Sequence, residues 1–236
     1  MGGRVPWRIG DLAAATALVF VSFLVIQALV VLATDVGEAA EPDLLTPWIL
    51  GAVEGLMLLA VWAFGVRRYR VPWSSVGLRL PEARSGRRSS SALWTNIIVL
   101  PMVALLVSLV STGIYASMID VLGFDALQPS PVPDEFLGSG ATRLLISAVV
   151  VLWGPFVEEV FFRGFFLGGL IAPLGAARAV VVSAAIFAVA HLEISSMIPL
   201  FITGLVLAWL YLRTRSIWPP LMAHAAQNLL AISLAA

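Results

Sequence analysis

The stretch Leu144–Leu167, LLISAVVVLWGPFVEEVFFRGFFL, decides how this chain is read. Up to Val157 it carries no charge; then Glu158, Glu159 and Arg163 enter a run that stays apolar through Leu167. Apolar runs of this length mark helices that cross a bilayer, and ionisable residues inside one are costly and therefore functional candidates. The whole chain agrees with its centre. Of 236 residues, 60% are hydrophobic and 12% charged, against roughly 25% charged in a soluble domain. A fold of this size buries only part of its surface, so water would meet much of that apolar excess. The reading is an all-α, multi-pass transmembrane helix bundle in a single domain.

Working outward, spans are expected near 12–33, 48–66, 92–119, 144–162, 179–192, 197–212 and 219–235. The third is overlong and holds Pro101, which predicts tilt or a kink. The last three are short. Arg4 and Arg8 precede the first run, which exceeds the h-region of a cleaved signal, so it reads as a retained anchor.

All 14 basic residues are Arg, and 14 acidic ones cancel them. Nothing at the level of the whole chain suggests a nucleic-acid surface. Cys is absent, which excludes disulfides, thiolate metal sites and a cysteine nucleophile. With seven spans and the N-terminus inside, 13 of the 14 arginines fall on the inner side and only Arg143 outside. Asp35, Glu38, Glu41, Asp43, Asp120, Asp125, Asp134 and Glu135 fall outside. The positive-inside rule thus predicts the N-terminus inside and the C-terminus outside. Loop 67–91, with seven Arg, reads as a cytoplasmic topology determinant touching anionic headgroups. Segment 120–142, with Pro129, Pro131 and Pro133, reads as an extended connector. Residues 1–142 are then N-terminal helices, and 143–236 carry the chemistry. No internal repeat stands out, which weighs against a transporter built from duplicated halves.

Polar residues in the last spans are organised. Glu159 and Arg163 stand at i and i+4, oriented as a favourable ion pair; Glu158, about 100° around the helix, has no such partner and is free to act as a base. Phe187 and His191 share a face, as do His224 and Asn228, which follow Trp218-Pro219-Pro220 at a helix start. Glu54 and Gln27, with no nameable partners, read as interhelical hydrogen-bonding residues.

Amide hydrolysis needs a base for water, something to orient that water, and donors for the tetrahedral oxyanion. Glu158 and His191 could hold and deprotonate water, with His224 and Asn228 receiving the oxyanion. Equally, Glu158, His191 and His224 could bind Zn²⁺ as a two-His, one-carboxylate site. No HExxH is present, so spacing alone establishes no metal and no cofactor is certain.

EExxxR (Glu158-Glu159…Arg163), FxxxH (Phe187…His191) and HxxxN (His224…Asn228), in that order on successive helices, resemble the CPBP family. This family comprises the CAAX prenyl endopeptidases and the bacteriocin-processing or immunity (Abi) proteins. VEEVFFRGFFL and LAWLYLRTRSIWPPLMAHAAQN are also similar to its wording, and the likeness covers roughly 143–234. The resemblance implies an intramembrane endopeptidase of glutamate or metalloprotease type. It implies water activation by Glu158 with His191, an oxyanion hole of His224 and Asn228, and a structural pair of Glu159 and Arg163. The expected setting is a bacterial cytoplasmic membrane. Expected partners are membrane lipid, a prenylated or leader-bearing peptide or protein substrate, and a further membrane protein; nucleic acid is not expected.

The main rival is a non-catalytic scaffold or immunity protein. A serine protease is disfavoured, since Gly138-Ser139-Gly140 falls in a loop and no GxSxG occurs. An aspartyl type would need an intramembrane Asp, whereas the Asp residues read as lying in tails or loops. Ion coupling through Glu54, Glu158 and Glu159 would leave EExxxR and HxxxN unexplained. Geometry sets one further expectation. With a turn near Pro173–Gly175, Glu158 and His191 stand level, about 24 Å from it. His224 starts nearer the inner face. For the three to meet, the 163–178 hairpin should project beyond that face, with Arg163 and Arg178 marking the interface.

Overall fold

The computed structural model describes residues 5–33, 44–81, 93–129 and 132–235. Arg4, the acidic residues of 35–43, Arg84, Arg87, Arg88 and Pro131 lie outside them. Among the described residues there are seven long helices and no strand. They are α1 (Ile9–Ala33), α2 (Thr46–Arg67), α3 (Thr95–Leu122), α4 (Gly140–Leu174), α5 (Ala176–Ala190), α6 (Met197–Thr214) and α7 (Trp218–Ala235). By length and apolarity five of them, α1 to α4 and α6, could each cross a membrane, while α5 is apolar but shorter. The protein is an integral membrane protein.

Three prolines shape the helices. Pro101 in α3 follows a π-helical segment, Thr95–Val99, and Pro155 in α4 follows another, Val149–Trp153. Proline offers no N–H and clashes with the carbonyl four residues back; a widened turn just before it relieves both problems. The expected irregularity at Pro101 is therefore a π turn. Pro47, in the first turn of α2, costs nothing because that N–H has no helical partner anyway.

Burial separates rim from centre. Only 11% of the most apolar window of α1 is buried, against 39% in α4 and 44% in α6. Outward-facing Phe20, Leu24, Met102 and Leu106 are exposed because their solvent is lipid, not water. The core surrounds the second half of α4, where Val160, Phe165, Leu167 and Leu170 pack with Trp7, Leu12, Val61, Phe187 and Ile217. The Trp7 indole donates to the Phe165 carbonyl at 2.8 Å.

The span expected at 144–162 runs instead from Gly140 to Leu174, 35 residues. At about 1.5 Å per residue that is roughly 50 Å, longer than the ~30 Å hydrocarbon layer. The early end rests on Arg163 as an interface charge. Arg163 is 1% exposed and inside the bundle. A charge with a counter-ion on its own helix can be buried, so it does not report where the membrane ends. The helix does not break between Glu158 and the turn at Gly175.

One connector also departs from expectation. Segment 120–142 is not simply extended: it contains a 3-10 turn, Asp125–Leu127, and a short helix, Asp134–Leu137, and Leu137 is fully buried against Ile146 and Ile232. The Arg-rich loop is anchored as far as Pro81. Val76 is fully buried, and Ile217 N–H donates to the Gly77 carbonyl at 3.0 Å. The Ser216 hydroxyl donates to the Arg79 carbonyl at 2.6 Å, and Arg79 Nε to the Arg215 carbonyl at 2.7 Å. Gly77 adopts φ +86° beneath the Tyr211 ring, where no side chain fits.

Asp11 and Asp120 likewise lie in terminal turns of α1 and α3, not in tails or loops. Asp11 is occupied as a cap: it accepts from Arg8 N–H (2.8 Å) and the Tyr69 hydroxyl (2.6 Å), and pairs with Arg68 (3.1 Å). Its carboxylate, by accepting that hydroxyl proton, holds the Tyr69 phenol above its ordinary pKa.

Candidate active site

Glu158 and Glu159 sit where α4 passes from a short α-helical stretch, Gly154–Glu158, into a nine-residue π-helix, Glu159–Leu167. The two carboxylates have opposite fates. Glu159 is 0% exposed. Its Oε1 lies 3.0 Å from Arg163 Nη1 and 3.0 Å from His224 Nδ1. Glu158 instead leaves Oε2 buried with no hydrogen-bond partner, 4.0 Å from His224 Nε2.

The Glu159–Arg163 pair is mainly Coulombic. Neither Nη1 nor Nη2 of Arg163 finds a hydrogen-bond partner, which fits the wider π turn holding the two groups near but off axis. What completes the burial of the guanidinium is Phe187, whose ring centre lies 4.1 Å from Arg163 Cζ. The same ring meets His191 edge-on at 4.7 Å and His224 at 5.9 Å. Phe187 is thus the hub that ties the three motifs together, a role its sequence position alone did not announce.

His191 caps α5, and its Nδ1 lies 2.8 Å from the Phe187 carbonyl. A carbonyl only accepts, so the proton is on Nδ1 and the neutral ring leaves Nε2 as a bare acceptor. By the same logic the ionised Glu159 accepts from His224 Nδ1–H, turning Nε2 of His224 toward Glu158. Asn228 donates through Nδ2 to the Val150 carbonyl at 2.9 Å, within the π segment of α4. That bond fixes the carboxamide and leaves its second N–H uncommitted. Gly164 completes the motif for a steric reason: a Cβ there would collide with the Val76 carbonyl oxygen, so only glycine admits the 73–76 turn against α4.

Glu158, His191, His224 and Asn228 line one cavity of about 350 Å³. Three further polar residues share it: Glu54 from α2, Thr203 from α6 and Gln227 from α7. Val132 and Phe136 also line it, from the connector between α3 and α4. From the sequence Glu54 reads as an interhelical hydrogen-bonding residue; its Oε2 is buried and has no hydrogen-bond partner. That Glu54 is the one charged residue of α2 before Arg67 is the signal available, but its neighbour lies about a hundred residues away.

The zinc alternative is not assembled in this arrangement. Among the described residues no group of three His, Cys, Asp or Glu side chains stands close enough to hold a metal ion. Nε2 of His224 faces Glu158, and its Nδ1 contact with Glu159 is one a metal-ligating imidazole would also make, but His191 does not complete the set.

Residues 140–230 match the family model of the type II CAAX prenyl endopeptidases, Rce1-like. A protein of Bacillus subtilis (strain 168) named "Putative membrane peptidase YdiL" is 32% identical over 85 residues. That is 36% of this chain, and the match spans 34% of the relative's length. No solved structure matches. The segment that bears EExxxR, FxxxH and HxxxN and walls the cavity is thus the one similar to the type II CAAX prenyl endopeptidases, over residues 140–230.

Proposed function

We propose that the protein is an intramembrane endopeptidase that hydrolyses a peptide bond of a membrane-associated substrate. One observation carries the reading. Of two adjacent carboxylates, each with a buried and unpartnered Oε2, Glu159 gives its Oε1 to Arg163 and His224 away from the cavity, while Glu158 lines the polar cavity. A buried carboxylate without a partner is expensive, and a cavity lined by two imidazoles and a carboxamide is suited to a water molecule and a carbonyl.

In this mechanism Glu158 takes a proton from water, with Nε2 of His191 accepting the water's other hydrogen and orienting it. The resulting hydroxide adds to the carbonyl carbon, and the C=O electron pair moves to oxygen. That oxyanion is met by the free N–H of Asn228 and by His224. With Nδ1–H given to Glu159, His224 donates from Nε2 only as the imidazolium. Glu159, bonded to Nδ1, supplies the compensating charge, since Glu158 is neutral once it has taken the water's proton. Collapse breaks the C–N bond once the nitrogen has been protonated.

The substrates proposed are prenylated or leader-bearing peptides, delivered from the lipid phase of a bacterial cytoplasmic membrane or by a membrane-protein partner. The test compares the N-termini of cellular membrane proteins with wild type and with Glu158→Ala. New N-termini present only with wild type are expected. Identical N-terminal sets, with both proteins equally abundant, would overturn the reading in favour of a non-catalytic scaffold or immunity protein. Stoichiometric zinc lost from His224→Ala, with inhibition of wild type by chelators, would replace the glutamate mechanism by a metalloprotease one.

A further inference from the structure

Glu54 is a carboxyl on an otherwise apolar membrane helix, and nothing in the three motifs or in the matched segment 140–230 accounts for it. As an interhelical hydrogen-bonding residue it should have a partner, yet its Oε2 is buried without one. Its position explains it better. A methyl group built on Gly154 would lie 3.9 Å from Glu158 Oε1 and 3.9 Å from Glu54 Cδ. The two carboxyl groups therefore flank one glycine, from two different helices, with the space between them left open by the missing side chain. Both open on the same cavity as His191, His224 and Asn228. Glu158 presents its two oxygens to different neighbours: Oε2 faces His224 Nε2 at 4.0 Å, and Oε1 faces Gly154 and hence Glu54.

Peptide hydrolysis has a requirement that the four motif residues leave unassigned. An amide nitrogen cannot depart as an anion, so some acid must protonate it as the C–N bond breaks. His191 and His224 have their Nδ1 atoms committed to Phe187 and Glu159, and in the mechanism above their Nε2 atoms serve the attacking water and the oxyanion. Asn228 has nothing to give up as an acid. Glu158 has just taken a proton on the side of the water. A second carboxyl across the cavity divides the work as paired-carboxyl hydrolases do, one group serving as base and the other as acid.

We propose that Glu54 is a further catalytic residue of this site, the general acid that protonates the leaving nitrogen. The proposal rests on the peptidase reading above. The proton balance closes without a co-reactant. Glu158 removes a proton from water and the hydroxide forms a bond to the carbonyl carbon. The Glu54 carboxylic acid gives its proton to nitrogen as the C–N bond breaks and the oxyanion reforms C=O. The proton on Glu158 then passes through cavity water to the Glu54 carboxylate, and both residues return to their starting state.

An acid for the leaving group is needed only when that group is poor, and this separates catalysis from scaffolding. The probes are a peptide spanning a cleavage site found in the N-terminal comparison and its depsipeptide, in which the scissile amide is an ester. Wild type, Glu54→Gln and Glu158→Gln are reconstituted in lipid vesicles and assayed in single turnover. For Glu54→Gln the expected result is a loss of about 10²–10⁴-fold on the peptide and at most a few-fold on the ester. Glu158→Gln should lose both. Should Glu54→Gln fail to accumulate, Glu54→Leu, which suits the apolar helix, is read the same way. Equal losses on peptide and ester, or unimpaired peptide cleavage by the Glu54 variant, would overturn the role of Glu54 and leave the peptidase reading standing. Full activity of Glu158→Gln on both probes, or no cleavage by wild type, would overturn the peptidase reading itself and this proposal with it.

Discussion

Replacing Glu159 by Gln is the substitution whose outcome the packing determines most sharply. Glutamine keeps the shape and the acceptor oxygen, so the contacts to Arg163 Nη1 and His224 Nδ1, both 3.0 Å, can persist. Only the charge is removed. Arg163, 1% exposed, then remains a buried cation with the Phe187 ring 4.1 Å away as its remaining close compensation. Breaking a buried pair from one side costs about 3–5 kcal/mol. For a chain of this size each kcal/mol moves the melting temperature by about 2–4 °C, so a fall of roughly 6–20 °C is expected. Thiol-reactive dyes are no use, because the chain has no Cys; intrinsic fluorescence of its eight Trp in detergent micelles is the suitable readout. Glu158→Gln is the internal control. Its Oε2 has no hydrogen-bond partner to lose, so it should melt within about 1 kcal/mol of wild type while losing activity. A Glu159→Gln melting temperature within about 2 °C of wild type, or equal losses of stability and activity in the two variants, would refute this division of labour.

Single-turnover rates for His224→Ala and Asn228→Ala should each fall about 10²–10³-fold. The double variant should lose much less than the product if both serve one oxyanion; multiplicative losses would separate their roles. Gly164→Ala should fail to accumulate, because its Cβ meets the Val76 carbonyl, whereas Gly55→Ala, with nothing within 4 Å, should be tolerated; equal abundance of the two in membranes would argue against the packing of the 73–76 turn. Reporter fusions after residues 40 and 130 should be external and one at residue 85 cytoplasmic, as the arginine distribution requires. An external residue 85 would invert or break the seven-span topology.

What the sequence by itself determined is whatever depends on neighbours along the chain. Hydropathy alone names the solvent, since 60% apolar residues cannot be hidden from water in 236. The seven apolar runs became seven helices because a helix in lipid must satisfy its own backbone. The Glu159–Arg163 pair was legible because both residues lie on one turn. The spacing of the three motifs carried the family resemblance, and all four proposed catalytic residues do line one cavity.

Tertiary structure decided everything that depends on which helix lies opposite. Arg163 reads as a membrane boundary from the sequence because its aromatic cover is invisible until α5 brings Phe187 over it. Glu159 looked like the partner of Arg163 alone, yet it also holds His224, 65 residues away. Asn228 is held by a carbonyl of α4, 78 residues distant. Glu54 reads as an interhelical hydrogen-bonding residue from the sequence, and only the meeting of α2 and α4 at Gly154 sets it near Glu158. The cause is common to all four cases. A charge in a low-dielectric bundle is set by the groups packed against it, and pairings between distant helices leave no periodicity in the chain that forms them.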